Sequence, residues 1–276
     1  MTIAFIGGGN MATALIGGML KRGASIADVR VVEPFATART ALAARHPGIA
    51  LFAECTADAV GGVALIVFAV KPQQMRAAAQ ALSPYLGDLP GPVVLSIAAG
   101  IHLADLSRWL QGRCRLVRAM PNTPALVGKG ISGVFAAATV DAAGRALVSS
   151  VLEAAGELLW VDDEAMLDAV TGVSGSGPAY VFYFLEALEE AARELGFPPT
   201  EARRLAYATF AGAVALAQAS PAEPAVLRAQ VTSKGGTTER ALAMLEGDAV
   251  KAKIVAAVRA AAVRAGELGD AFGRDA

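Results

Sequence analysis

The segment 231–246 combines small and hydroxyl-bearing residues with the start of an amphipathic helix. Its glycines, Gly235 and Gly236, free the backbone to curl, and the N–H groups at a helix start attract a carboxylate or phosphate. Four hydroxyl groups can turn towards such an anion, and they belong to Thr232, Ser233, Thr237 and Thr238. The spacing predicts an anion pocket. An ordinary helix start, with Thr237 or Thr238 as the N-cap, explains the same residues equally well.

A second chemical signal lies near the start of the chain, where a glycine-rich turn follows an apolar run. Six consecutive residues have the spacing G-x-G-x-x-A: Gly7, Gly8, Gly9, Asn10, Met11 and Ala12. In this pattern the first glycine permits a tight turn, the second admits a pyrophosphate, and the last small residue keeps helix and strand close. With the helix dipole directed at the phosphates, the turn predicts dinucleotide binding. A glycine-rich connection without a ligand is the alternative.

Glu33 ends the second apolar run and is the acid expected in a dinucleotide-binding unit. A carboxylate at this place accepts hydrogen bonds from the adenosine ribose hydroxyls, which favours NAD(H). It repels the 2′-phosphate of NADP(H), and Arg39 would offset part of that repulsion. The choice between NADPH and NADH therefore stays open. An exposed charge after the strand is the alternative for Glu33.

Composition argues against several classes of function. The 276 residues are 55% apolar and 18% charged, which indicates a substantial core, and 24 basic against 25 acidic residues without a basic stripe argue against nucleic acid. Cys55 and Cys114, even with His46 and His102, supply neither a disulfide framework nor a metal site. The N-terminus lacks a signal-peptide pattern, and prolines interrupt the helical run 205–228. We therefore expect a cytoplasmic protein without a membrane span.

The elements that must position these residues change type along the chain. In the first half, five apolar runs predict strands at 3–6, 29–33, 64–70, 93–97 and 115–120. Helical segments separate them, so we predict an α/β fold with a Rossmann-type doubly wound parallel sheet. In the second half, alanine-rich stretches predict helices at 164–171, 178–195, 200–219, 238–244 and 250–268. The predicted domains are a dinucleotide-binding domain at 1–161 and an all-helical domain at 162–276.

The helical half carries more apolar surface than one neighbouring helix would cover. The stretch 205–219 is rich in alanine and glycine and is apolar on more than one side. Burial in a homodimer interface accounts for this surface. A central helix that is fully buried within one subunit is the alternative.

Five motifs in order along the chain resemble those of pyrroline-5-carboxylate reductases. They are GGGNMA at 7–12, AVKPQ at 69–73, RAMPNTPALVGKG at 118–130, VSGSGPAY at 173–180 and VTSKGGTTERAL at 231–242. The resemblance runs nearly end to end. It implies reduction of 1-pyrroline-5-carboxylate to L-proline by NADPH or NADH, the final step of proline biosynthesis. It also implies a helical substrate-binding and dimerisation domain, with dimers that in some relatives assemble into rings.

The resemblance also implies roles for individual residues. The turn from Gly7 to Ala12 would lie under the pyrophosphate. Further cofactor contacts would come from Ala69, Val70, Lys71 and Pro72, with Ala98 and Ala99 near the nicotinamide. The substrate carboxylate would be bound by Ser233, Gly235, Gly236 and Thr237. The hydroxyl of Thr238 would hydrogen-bond the ring nitrogen, and whether it also donates a proton stays open. Glu164 aligns with an acid near the substrate in relatives, although a charge that favours a helix start explains it equally well.

Two further segments are interpreted from their residue types. The stretch 172–178 is predicted to be a flexible loop that either lines the substrate pocket or lets two helices cross closely. Asn122 follows a strand in a rigid turn and is expected at the pocket floor without a catalytic role.

Two other functions compete with this interpretation. A β-hydroxyacid dehydrogenase would need a lysine to act on a hydroxyl, and none occurs between Lys129 and Lys234. A non-catalytic dinucleotide sensor would have no use for a second anion pocket at 233–238. The pattern therefore favours a reductase.

Overall fold

The computed structural model describes residues 1–87 and 91–274. These residues form two compact units, of which the second runs from Gly177 to Arg259 and the first comprises the rest. The last helix contributes its later residues to the first unit. The domain boundary after residue 161 stays a prediction, because the units are defined by spatial contact.

The first unit is built on a single eight-stranded sheet. The strands lie in the order β3-β2-β1-β4-β5-β6-β7-β8, and every neighbouring pair is parallel except β6 and β7. This order confirms the doubly wound topology. The strands are β1 (Ile3–Ile6), β2 (Val29–Val32), β3 (Ala50–Phe52), β4 (Leu65–Phe68), β5 (Val93–Ser96), β6 (Arg115–Met120), β7 (Gly130–Ala136) and β8 (Gly156–Trp160).

All five predicted strands are confirmed, whereas three observed strands were not predicted. The missed strands have weak patterns: β3 has three residues, β7 contains two glycines, and β8 alternates partly buried and exposed positions. Short, glycine-containing or half-exposed strands lack the continuous apolar run that identifies a buried parallel strand.

Helices cover both faces of this sheet. Along β1, Phe5 packs in one buried cluster with Leu15 of α1, while Ile6 packs in the other with Met75 of α4. This alternation follows from the two-residue period of a strand. The helices of the first unit are α1 (Asn10–Lys21), α2 (Ala36–Arg45), α3 (Ala57–Val60), α4 (Pro72–Leu82), α5 (Leu103–Trp109), α6 (Ala142–Leu152) and α7 (Met166–Val170).

The glycine-rich stretch after α7 is helical, so the prediction of a flexible loop at 172–178 was wrong. Residues Thr171–Gly175 form a π-helix that continues α7, and the next helix begins at Gly177. A Cβ atom at Gly175 would lie 2.6 Å from Cε of Met120 on β6. The small residues therefore allow close packing against the sheet.

The described residues of the second unit contain helices and no strand, as predicted. The helices are α8 (Gly177–Glu194), α9 (Pro199–Gln218), α10 (Pro224–Gln230), α11 (Thr237–Gly247) and the first part of α12 (Val250–Arg274). The sequence pattern missed α10 because Pro224 resembled a helix breaker. It occupies the first helical position instead, where a missing N–H group costs nothing.

Across residues 1–87 and 91–274, no helix combines the length and the apolar character that crossing a membrane would require.

Candidate active site

The glycine-rich turn between β1 and α1 packs against the end of β4. Gly7 has a φ of +98°, and a Cβ atom there would lie 2.7 Å from the carbonyl oxygen of Ala69 and 2.9 Å from Cγ1 of Val70. The N–H of Ala69 donates to the carbonyl of Ile6. Only glycine fits this close, left-handed position. The fold thus brings together two segments that the sequence predicted as cofactor contacts.

The start of α1 is open at the position where the pattern predicts a pyrophosphate. Gly9 is the N-cap residue, and a Cβ atom there would meet no heavy atom within 4 Å. Asn10 and Met11 begin the helix, and Ala12 is completely buried against the sheet. Unpaired N–H groups in the first turn and the free space above Gly9 fit a dinucleotide phosphate.

Glu33 is 7% exposed and is bound to the glycine-rich turn itself. Its Oε2 accepts the N–H of Gly8 at 2.9 Å, and its Oε1 accepts the N–H of Phe35 at 3.0 Å. The guanidinium of Arg39 donates to the carbonyls of Glu33 and Pro34 at 2.7 and 2.8 Å. A carboxylate and a cation therefore lie side by side at the end of β2, so the alternative of an exposed charge is wrong for Glu33.

The remaining predicted cofactor residues also follow the ends of parallel strands. Val70 is partly buried, Lys71 is an exposed N-cap residue, and Pro72 opens α4. Ala98 follows β5, is 4% exposed, and donates its N–H to Oγ of Ser96 at 3.4 Å. In doubly wound folds, ligands bind in the crevice outside these strand ends.

A buried ionic cluster lies beyond the end of β5, and the sequence analysis missed it. Arg118 of β6 is 2% exposed, and its guanidinium contacts Oε1 of Glu164 at 3.1 Å and Oδ1 of Asp168 at 3.4 Å. It also lies 3.3 Å from Nδ1 of His102. The available signal was Arg118 in the middle of a strand with apolar residues directly before and after it, because such a charge is buried only when it is paired.

The predicted substrate residue Glu164 belongs to this cluster. Besides the arginine contact, its Oε1 accepts the N–H of Leu103 at 2.9 Å and lies 3.7 Å from Nδ1 of His102. Its side chain is 22% exposed. The carboxylate thus has several partners within the first unit, and contact with a substrate stays a proposal.

Asn122 connects the turn after β6 to two neighbouring elements. Its Nδ2 donates to the carbonyl of Ser174 in the π-helix at 3.1 Å, and its Oδ1 accepts the N–H of Ile131 on β7 at 3.0 Å. With both polar atoms paired and 9% exposure, it stabilises the turn, which is consistent with a non-catalytic role.

The segment 231–238 leads into α11 in the second unit. The N-cap residue is Gly236, and no side chain caps the helix, so the alternative of Thr237 or Thr238 as the N-cap is wrong. These two threonines occupy the first two helical positions, where the backbone N–H groups have no partner within the helix. Their hydroxyls are consequently not required to start the helix.

The backbone before α11 is curled as the glycines predicted. Gly235 has a φ of +75° and donates its N–H to Oε2 of Glu239 at 2.6 Å, while the N–H of Gly236 donates to the carbonyl of Ser233 at 3.1 Å. A Cβ atom at Gly236 would collide with Oγ of Ser233. The glycine N–H groups are thus paired, which leaves the first turn of α11 and the hydroxyls as donors for an anion.

Comparison with known proteins decides the family. A family model described as pyrroline-5-carboxylate reductase dimerisation matches residues 164–268, and one described as NADP oxidoreductase coenzyme F420-dependent matches residues 2–100. The pyrroline-5-carboxylate reductase of Pseudomonas aeruginosa is 44% identical over 272 residues, covering 99% of this chain and 98% of the relative. The chain belongs to the pyrroline-5-carboxylate reductase family.

Solved structures of pyrroline-5-carboxylate reductases share this fold. The enzyme from Coxiella burnetii superimposes with a TM-score of 0.90 at 35% identity, covering 97% of this chain and 98% of the other. The Plasmodium falciparum enzyme, solved with NADP bound, gives a TM-score of 0.85 at 25% identity and covers 98% of both chains. The reductase fold therefore extends over nearly the whole chain.

Thiol and metal chemistry find no support among the residues that the structure describes. Burial raises the pKa of the Cys114 thiol to about 12, and burial together with Glu54 raises the pKa of Cys55. Both thiols are therefore protonated and poorly nucleophilic at neutral pH. Within 1–87 and 91–274, no cluster of three metal-ligating side chains occurs.

Proposed function

We propose that this chain reduces 1-pyrroline-5-carboxylate to L-proline with hydride from NADPH or NADH. The observation that carries the proposal is the family match over 99% of the chain. The open α1 start, with Gly9 leaving space for a pyrophosphate, fits the cofactor that this reaction requires. When bound, the nicotinamide supplies the hydride.

The cofactor contacts are proposed for the first unit. The turn Gly7–Ala12 would bind the pyrophosphate, and Glu33 would accept hydrogen bonds from the ribose hydroxyls. The rest of the cofactor site would be lined by Ala69, Val70, Lys71, Pro72 and Ala98. The close packing of Gly7 on Ala69 and Val70 supports this assignment. The preference between NADPH and NADH is not assigned, because Glu33 and Arg39 have opposite effects on a 2′-phosphate.

The substrate contacts are proposed for the start of α11. The N–H groups of the first turn and the hydroxyls of Ser233 and Thr237 would bind the carboxylate, and the curl at Gly235 and Gly236 would shape the site. Thr238 would hydrogen-bond the ring nitrogen. Glu164 would lie near the substrate, and its contacts with Leu103 and Arg118 favour a role in positioning the backbone.

An imine with a protonated nitrogen is already electrophilic, so this chemistry needs no strong acid. Most of the acceleration would come from alignment of the two reactants, an effect that reaches about 7–11 kcal/mol in well-oriented systems. A hydroxyl such as that of Thr238 suits a hydrogen-bonding role better than general acid catalysis at its ordinary pKa.

The dimerisation family model over 164–268 supports self-association of the chain. We propose a homodimer formed through the helical unit, with ring assembly of dimers as a further expectation. A cytoplasmic location, and the expectation that neither nucleic acid nor a membrane is a partner, stay predictions from composition.

The proposal is tested by oxidation of NADPH and of NADH, in parallel, with 1-pyrroline-5-carboxylate as the acceptor. Formation of proline in equal amount to oxidised cofactor is expected with at least one cofactor. No turnover with either would refute the proposal, and oxidation of 3-hydroxyisobutyrate instead would favour the dehydrogenase alternative.

A further inference from the structure

The buried arginine of β6 connects three separate segments of the first unit. Its two ion pairs reach Glu164 before α7 and Asp168 within α7, at 3.1 and 3.4 Å. The third neighbour is His102, the N-cap residue of α5, at 3.3 Å. Since a guanidinium only donates, Nδ1 of His102 is the acceptor in this contact. One side chain, Arg118, thus links β6, α7 and the start of α5.

Oε1 of Glu164 is the shared acceptor in this arrangement. It receives the Arg118 guanidinium at 3.1 Å and the N–H of Leu103, the first residue of α5, at 2.9 Å. The N–H of Leu103 is one of the groups that a helix start leaves unpaired, so Glu164 caps α5 from a distant part of the chain. Arg118 in turn holds the carboxylate in this position.

The segment between β5 and α5 is therefore fixed at both ends. At its first end, Ile97 donates to the carbonyl of Phe68, and Ala98 donates to Oγ of Ser96. At its second end, Leu103 donates to Glu164. Glu164 is the only one of these acceptors that lies outside the sheet strands, so this end depends on the ionic cluster.

The later part of α12 packs against the middle of the same segment. Gly100 has a φ of +77°, and a Cβ atom there would lie 3.3 Å from the backbone nitrogen of Gly269. A Cβ atom at Gly269 would lie 2.5 Å from Nε2 of His102. With no space on this side, small displacements of His102 would be transmitted to the backbone of the segment.

We propose that Arg118 and Glu164 are positioning residues that fix the 97–103 segment, and with it the backbone of Ala98 against the nicotinamide. The proposal rests on the proposed function for the place of Ala98 beside the cofactor. Glu164 then acts through Leu103 rather than by touching the substrate. The proposed function assigns the substrate carboxylate to the start of α11, which contributes no residue to this cluster, so substrate binding is expected to be insensitive to Arg118 and Glu164.

The test compares three variants with the unmodified enzyme: Glu164→Gln, Arg118→Lys and Arg118→Met. Glu164→Gln removes the charge while keeping an oxygen for Leu103, and Arg118→Lys keeps a cation but loses the forked geometry. Arg115→Met is the matched control, because Arg115 is on the same strand and pairs with Asp141 at 3.3 Å at the other end. The readouts are the Kd of the tighter-binding cofactor, kcat, and the KM for 1-pyrroline-5-carboxylate.

We expect Arg118→Met to weaken cofactor binding several-fold and to lower kcat by about tenfold to a hundredfold, as misplaced reactants do. Arg118→Lys should recover part of both losses, Glu164→Gln should be intermediate, and the KM for the imine should change less than twofold in all three. The control should match the unmodified enzyme.

Unchanged cofactor affinity in folded Glu164→Gln and Arg118→Lys would overturn the proposal. A KM for the imine that rises in Glu164→Gln alone would also overturn it and would place Glu164 at the substrate. If Arg118→Met does not fold, the cofactor affinities of Glu164→Gln and Arg118→Lys test the proposal. Cofactor affinity is measured without substrate, so failure of the proposed reaction would remain distinguishable from failure of this inference.

Discussion

Thr238 is the hydroxyl on which the proposed chemistry depends most directly. It lies in the first turn of α11, whose N-cap is Gly236 without a side-chain cap, so the fold does not need this hydroxyl as a cap. The sequence alone left capping and chemistry as equal explanations. The structure removes the capping explanation and leaves the hydroxyl available for a ligand.

Replacing Thr238 with alanine should lower kcat by about tenfold to a hundredfold, with a small change in the KM for 1-pyrroline-5-carboxylate. The physical reason is that the hydroxyl would pair with the nitrogen whose charge changes during hydride transfer. Steady-state kinetics check this, with Thr209→Ala as the control because Thr209 donates to a carbonyl within α9. An unaltered kcat would assign Thr238 no part in the reaction.

Glu33 sets the charge at the end of β2, where Arg39 supplies the opposite charge. Glu33→Ser should shift the ratio of kcat/KM values towards NADPH by about tenfold, because it removes the repulsion of a 2′-phosphate and leaves the cation in place. Parallel kinetics with NADPH and NADH check the shift.

The opposite change provides the control for cofactor preference. Arg39→Gln removes the cation and keeps the carboxylate, so the same ratio should move towards NADH. If neither variant alters the ratio, then neither Glu33 nor Arg39 faces the adenosine ribose.

At the scale of elements, the β1–α1 turn contains one glycine that the fold requires, Gly7, and one that only the bound cofactor would require, Gly9. Gly7→Ala should lower the melting temperature and abolish cofactor binding, since its positive φ costs about 1–2 kcal/mol and its Cβ would press on Ala69. Gly9→Ala should leave the melting temperature unchanged and weaken the cofactor Kd, because its Cβ enters open space. Thermal denaturation and cofactor titration of both variants test this. A Gly9→Ala variant with normal cofactor affinity would contradict the placement of the pyrophosphate.

The strongly patterned elements could be predicted from the sequence, and the weakly patterned ones could not. Buried strands such as β1 and β4 are continuous apolar runs, whereas β8 is half exposed and β7 contains glycines. The π-helix was mistaken for a loop because glycine and serine are typical of both loops and close packing.

In the candidate site too, the part with a local sequence pattern could be predicted and the part built from distant residues could not. The glycine-rich turn was predictable because a short spacing rule governs it, and Gly7, Ala69 and Val70 indeed meet. The carboxylate partners of Arg118 were not predictable, because they belong to residues 46 and 50 positions later in the chain. A pattern in neighbouring residues carries no information about contacts between residues so far apart in the sequence.

At the scale of the whole molecule, the second unit exposes apolar residues of the stretch 205–219 that the sequence assigned to a dimer interface, among them Leu205, Val214 and Leu216. A groove of about 1390 Å³ lies among its helices and is lined by Phe184, Leu188, Phe210, Leu242, Leu245 and Ile254, among others. Apolar surface of this extent is typical of an interface between subunits. The dimerisation family model spans the same helices.

The homodimer is tested by placing a charge in this groove. Leu245→Arg should convert a particle of twice the 28.0 kDa chain mass into a monomer, because burying an unpaired charge opposes association. Light scattering coupled to size exclusion measures the mass. Leu195→Arg is the control, since Leu195 is 81% exposed at the end of α8 and does not line the groove. A monomeric unmodified protein would contradict the proposed assembly.

The most direct test of the central claim follows the hydride itself. The enzyme is given 1-pyrroline-5-carboxylate with the cofactor that it turns over, NADPH or NADH, in two preparations that carry deuterium at C4 of the nicotinamide on one face or on the other. The account predicts proline one mass unit heavier, with the deuterium on the former imine carbon, from one of the two labelled cofactors. Proline without deuterium from both, or no proline at all, would contradict it.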